Sequence, residues 1–145
     1  MSVEQVARDF VTRMNSMDEM KRRLTGDAMA SGGVLPKPVP AMEALGIMSA
    51  LIRALPDLKF DIQQVTVNGN QATVKTLWSG TQTGPLNLSM PGMPEIPASG
   101  KKVSVKDAYI ITVQGDKVSR IQVESPIDGG IPAALAQLGV KAPSM

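Results

Sequence analysis

Asp107, Tyr109, Gln122 and Glu124 are the residues of this chain whose types and spacing could do chemistry together. Gly115-Asp116 separates two strand-like runs, Lys102 to Val113 and Lys117 to Ser125. A two-residue turn there pairs Gln114 with Lys117. Each outward step keeps the same sum, so Ile111 faces Arg120, Tyr109 faces Gln122 and Asp107 faces Glu124. Direct cross-strand partners share a sheet face. Val103, Val105, Ile111 and Val113 lie on it too, and a carboxylate inside an apolar stripe is either paired or placed for use. Two carboxylates close together in a partly apolar site cannot both ionise cheaply. One keeps its proton, and the pair then supplies an acid and a base. Tyr109 could donate to a developing enolate or alkoxide, and Gln122 could orient a carbonyl or a water. Other pairings stay open: Arg120 offers Glu124 a plain ion pair, and Asp107 has Lys75, Lys106 or a backbone amide within plausible reach. A connection longer by one residue would turn one strand over and dissolve the cluster.

Composition narrows the chemistry further. The chain has 145 residues, the length of one domain, with no cysteine and no histidine. That removes disulfides, thiolate metal sites, and the commonest general base and metal ligand. No G-x-S-x-G elbow or phosphate loop is present, and Asp and Glu do not cluster at metal-ligand spacing. Neither a metal nor a cofactor is expected. The net charge is +2, the basic residues are scattered, and aromatics make up 3% of the chain, so nucleic acid is not an expected partner. The start, Met1-Ser2-Val3-Glu4-Gln5, is acidic and polar, unlike a signal peptide. The longest uncharged stretch, Thr76 to Pro94, is broken by glycines and prolines, so no membrane span is expected. A reducing, cytoplasmic setting fits this composition.

The elements that must position the four residues follow from periodicity. Ser2-Val3-Glu4-Gln5 reads as a capping box. Val3, Val6, Ala7, Phe10 and Met14 recur at helical spacing, and Met17, Met20 and Leu24 extend the face after a kink near Asn15-Ser16, with a stop at Gly26. Ala30 to Pro40 reads as a loop, and Ala41 to Leu55 as a second helix ended by Pro56. Leu58, Phe60 and Ile62 alternate, then Val65 and Val67 alternate out of phase, which predicts a β-bulge at Gln63-Gln64. Asn68-Gly69 predicts a hairpin pairing Val65 with Ala72, Ile62 with Val74, Phe60 with Thr76 and Leu58 with Trp78. Thr83 to Gly100 is a long Pro- and Met-bearing insertion, either a surface loop pinned by apolar side chains or a lid. Ile131 to Leu138 reads as a short helix with Pro132 early in it and Gly139 past its end.

This order of helices, hairpins and terminal helix resembles the nuclear-transport-factor-2-like fold, and within it the SnoaL-like polyketide cyclases, also called ester cyclases. The resemblance rests on Leu55-Pro56-Asp57-Leu58-Lys59-Phe60, Trp78 to Gly84, Gly100 to Tyr109, Gly115-Asp116-Lys117-Val118 and Ala136-Gln137-Leu138-Gly139. It implies a single α+β domain over residues 1–145. A cone-shaped, curved, mixed or antiparallel sheet would wrap around N-terminal helices, with an apolar pocket inside and a homodimer as the assembly. It also implies cofactor-free aldol-type ring closure with an Asp as acid and base; relatives of this fold isomerise, dehydrate or only bind. The last strand of those cyclases commonly carries a His-Trp pair ahead of an acidic residue. Here the stretch reads Arg120-Ile121-Gln122-Val123-Glu124, with the carboxylate but neither partner. The reading is a small-molecule pocket protein: a cofactor-free lyase, isomerase or cyclase acting on an apolar carbonyl compound, or a non-catalytic binding or dimerisation module. Asp107, Tyr109 and Glu124 would be catalytic. Trp78, Gln122, Met90, Met93, Phe10 and Met14 would hold the substrate.

Overall fold

The computed structural model describes residues 2–33, 35, 37–87, 95–126 and 128–139. Helix α1 (Val3–Thr12) starts at the capping box: the Gln5 backbone N–H donates to Ser2 Oγ at 3.1 Å, and the Ser2 N–H donates to Gln5 Oε1 at 3.2 Å. Its buried stripe is Val6, Ala7, Phe10 and Val11. The helix breaks where Asn15-Ser16 was expected to kink it, because Ser16 caps a separate helix α2 (Met17–Arg23) by accepting from the Glu19 N–H. Helix α3 (Ala41–Ala54) buries Ala41, Leu45, Leu51 and Ala54 and stops before Pro56.

Two segments depart from expectation. Leu24 does not prolong a helix; it opens strand β1 (Leu24–Gly32), so neither the stop at Gly26 nor a loop from Ala30 describes this segment. The inward residues Ala28 and Ala30 are small and weakly β-forming, so tertiary pairing rather than local preference makes this strand. A two-residue strand β2 (Val39–Pro40) pairs with its edge.

Strands β3 (Lys59–Asn68) and β4 (Gln71–Thr81) form the first hairpin, with the bulge between Ile62 and Gln64. The turn is centred on Gly69-Asn70 rather than Asn68-Gly69, with Gly69 at φ +63° and Asn68 opposite Gln71. Partners therefore move by two residues: Phe60 faces Trp78, Ile62 faces Thr76 and Val65 faces Val74. A shift of two keeps every side chain on its expected face. Strands β5 (Lys102–Gln114) and β6 (Lys117–Val123) form the second hairpin, and helix α4 (Gly130–Gln137) closes the chain's described part.

The curved, unclosed sheet has the order β2-β1-β6-β5-β4-β3, parallel only between β1 and β6. Helix α1 packs against β3, β4, β5 and β6, and α3 against β1, so the helices cover one face of the curve. That face carries the core, including Phe10, Trp78, Val103, Tyr109 and Ile111. Where β6 ends, the Gln137 side chain takes over the free edge of β5: Ser104 N–H donates to Gln137 Oε1 at 2.9 Å, and Gln137 Nε2 donates to the Ser104 carbonyl at 2.8 Å. The chain is an α+β protein of the architecture that the resemblance implies. Among the described residues, no helix is long and apolar enough to cross a membrane.

Candidate functional site

The second hairpin turns at Gly115-Asp116 with Gln114 opposite Lys117, as expected. The ladder then shifts by one residue between Thr112 and Val113, where Val113 faces Val118 and Thr112 faces Arg120. Ser119 is the extra residue of a bulge. Beyond it, Ile111 faces Ile121, Ile110 faces Gln122 and Tyr109 faces Val123. A one-residue shift exchanges the two faces of β6. Gln122 and Glu124 therefore leave the Asp107 face, and the four-residue cluster does not form. Gln122 Nε2 donates to Glu124 at 2.8 Å on the outer side, where Glu124 borders a groove with Lys75, Lys106 and Pro126. Arg120 and Glu124 make no ion pair.

The inward positions pass to Ile121, Val123 and Ser125. Ser125 is the functional candidate that turn arithmetic misses. Its hydroxyl donates to Asp107 Oδ1 at 2.7 Å. The Ala108 backbone N–H donates to the same oxygen at 2.9 Å. Trp78 Nε1–H and the Tyr109 hydroxyl each donate to Oδ2 at 3.2 Å. Asp107 is 6% exposed, so this carboxylate is buried and held by four donors from β4, β5 and the segment after β6. Neither Lys75 nor Lys106 pairs with it. Two glycines let that last segment approach. A Cβ on Gly129 would run into the Lys106 carbonyl, and one on Gly130, at φ +70°, would run into the Ser125 hydroxyl.

Asp107, Tyr109 and Ser125 stand at one end of a partly open cavity of about 110 Å³. Its walls include Phe10 from α1, Met14 from the turn that follows it, Trp78 from β4, Met48 and Leu51 from α3, and Val123. Phe10, Met14 and Trp78 thus all line this cavity. Met90 and Met93 lie outside the described residues. The base of their insertion is fixed: Leu86 and Ile96 bridge each other and are buried, and the buried Gln82 amide donates to the Ile96 and Pro97 carbonyls while accepting from Ser99.

Burial first, then the Asp107 charge and hydrogen bond, pushes the Tyr109 hydroxyl well above its ordinary value of 10.0. Tyr109 therefore stays a proton donor at any working pH. It is the only tyrosine in the chain, so a tyrosinate absorbance titration reports on it alone. The folded protein should show no tyrosinate near pH 10, whereas the unfolded chain should. A folded group with a raised value contributes stability that is intact below pH 10 and is lost as pH rises beyond it. The loss should approach ~1.4 kcal/mol per pH unit until Tyr109 ionises in the fold. A tyrosinate signal in the folded protein at its ordinary midpoint would contradict this placement.

The sequence pattern of the SnoaL-like polyketide cyclase family matches residues 4–123, and the chain belongs to that family. Three solved structures show the same fold. AclR from Streptomyces galilaeus, a proposed hydroxylase, superposes with a TM-score of 0.74 at 15% identity, over 94% of this chain and 95% of that one. A proposed SnoaL-like polyketide cyclase from Jannaschia sp. CCS1 gives 0.72 at 18% identity, over 98% and 93%. IdmH from Streptomyces antibioticus, a proposed polyketide cyclase, gives 0.71 at 16% identity, over 97% and 100%. No curated protein matches the sequence.

Proposed function

We propose that this protein is a cofactor-free lyase, isomerase or cyclase that moves a proton on an apolar carbonyl compound held in the cavity between α1, α3 and the sheet. The observation that carries this reading is the buried Asp107 carboxylate at the one polar end of an apolar cavity. Asp107 would take a proton from the carbon beside the carbonyl, whose electrons move to the carbonyl oxygen as an enolate. Once protonated, Asp107 no longer holds both hydroxyl protons of Tyr109 and Ser125. Those O–H groups can turn to the enolate oxygen at the moment its charge develops, where such donors stabilise most. The enolate then either takes the proton back from Asp107 at the far carbon of a conjugated system, or bonds through its carbon to a second carbonyl carbon, whose oxygen takes the proton from Asp107. The polyketide cyclase designation of two structural neighbours agrees with such chemistry. Glu124 has no part in it, because its side chain belongs to the other face.

A second reading, a binding module with the same pocket, is favoured by the completeness of Asp107's hydrogen bonds. Incubation with neutral apolar carbonyl compounds, followed by product chromatography and binding titration, separates the two. A rearranged product supports catalysis, whereas saturable binding without any product would leave only the binding module. The ligand partner in either case is an apolar small molecule. A homodimer is part of the same proposal, and monomeric sedimentation at micromolar concentration would remove it.

A further inference from the structure

Every side-chain proton at the polar end of the cavity is already committed. An ionised carboxylate only accepts, with room for about four donors. Both Asp107 oxygens already accept an N–H, one from Trp78 and one from Ala108, so the ionised form is the one that satisfies all four contacts. The Tyr109 and Ser125 hydroxyls each own one proton, and each gives it to Asp107. What these two hydroxyls have left for a ligand is oxygen lone pairs. Among the described residues lining the cavity, none is Lys, Arg, Asn or Gln. The resting site therefore offers side-chain acceptors beside a buried negative charge, and no free side-chain donor.

Granted that cavity as the ligand site, we infer that it selects a neutral apolar compound bringing its own O–H, as an enol, phenol or alcohol does. It selects against a compound of the same shape whose polar atom is a bare carbonyl oxygen, and against anions. A carbonyl oxygen at Tyr109 and Ser125 would meet only lone pairs, an unpaired polar contact in an apolar setting. For the proton-transfer reading, this names the substrate class: a carbonyl compound that also carries a hydroxyl, whose O–H donates to Tyr109 or Ser125 while Asp107 takes the proton from carbon. It also names Ser125, along with Tyr109, as the residue that reads the ligand's proton.

Cyclohexanol and cyclohexanone differ in little but this property, and the chain's single tryptophan, Trp78, lies in the cavity wall as a fluorescence reporter. Titration of each into the full-length protein near neutral pH should show the alcohol binding about fivefold more tightly, the factor of one ordinary hydrogen bond. Ser125→Ala should narrow that preference, and Asp107→Asn, whose NH₂ frees the proton of whichever hydroxyl it meets, should move it toward the ketone. Equal affinities, or a ketone preference in the unmodified protein, would overturn the inference and leave the cavity standing as a ligand site. No saturable binding of either compound would remove the cavity as a ligand site, and the inference with it.

Discussion

Asp107→Asn should lower the proposed turnover by roughly 10²–10⁴-fold, the usual contribution of a positioned general base. It should also cost about 1–3 kcal/mol of stability, because an amide cannot replace the carboxylate here. Trp78 Nε1–H points at one oxygen and Ala108 N–H at the other, and neither group can accept. Whichever way the asparagine turns, its NH₂ meets one of them, leaving a buried donor unpaired. The Tyr109 and Ser125 hydroxyls can rotate to accept, so the remaining half of the network survives. Asp107→Ala leaves both N–H donors without a partner, at about 1–3 kcal/mol each, and should cost more. Denaturant midpoints at constant slope, with activity measured on the folded fraction, separate the two effects. Equal stability of the aspartate, asparagine and alanine forms would refute the network.

Trp78→Ala should destabilise by about 3–5 kcal/mol, the usual cost of removing a large aromatic from a core. Trp78 is 2% exposed, packs against Phe60 with ring centroids 6.2 Å apart, and forms part of the cavity wall. Trp78→Phe keeps most of the packing and deletes only the donor to Asp107, so it should cost about 1–2 kcal/mol. Pairing each change with Tyr109→Phe in a double-mutant cycle tests whether the two donors share Asp107 Oδ2. An additive cycle would mean that they do not act on one carboxylate.

The hairpins show what periodicity can and cannot deliver. In β3, the change of apolar phase between Ile62 and Val65 marks the bulge in the sequence itself. The same signature exists in β6: Val118 is inward, and the next inward apolar residues, Ile121 and Val123, lie at odd spacing from it. Extending the Gly115-Asp116 turn as an unbroken ladder ignores that signature and brings Gln122 and Glu124 to the wrong face. Reading it would have placed Ser125, two residues past Val123, beside Asp107 instead. Asp107 and Tyr109 were legible because β5 alternates without interruption from Val103 to Val113. Strand β1 was not, since Ala28, Ala30 and Gly32 carry little strand preference and the strand exists through its parallel pairing with β6. The donors to Asp107 divide the same way. Tyr109 is two residues along one strand, whereas Trp78 and Ser125 come from positions 29 and 18 residues away that only the folded sheet brings together.

The central claim is that Asp107 exchanges a proton with carbon next to a carbonyl in this cavity. Cyclohexanone incubated in heavy water with the protein reports that exchange as deuterium gained beside the carbonyl, read by mass spectrometry, whatever the natural substrate is. The protein should accelerate the exchange over buffer, and Asp107→Asn should abolish the acceleration while Glu124→Gln leaves it intact. No acceleration by the unmodified protein, or the same acceleration by Asp107→Asn, would contradict the claim.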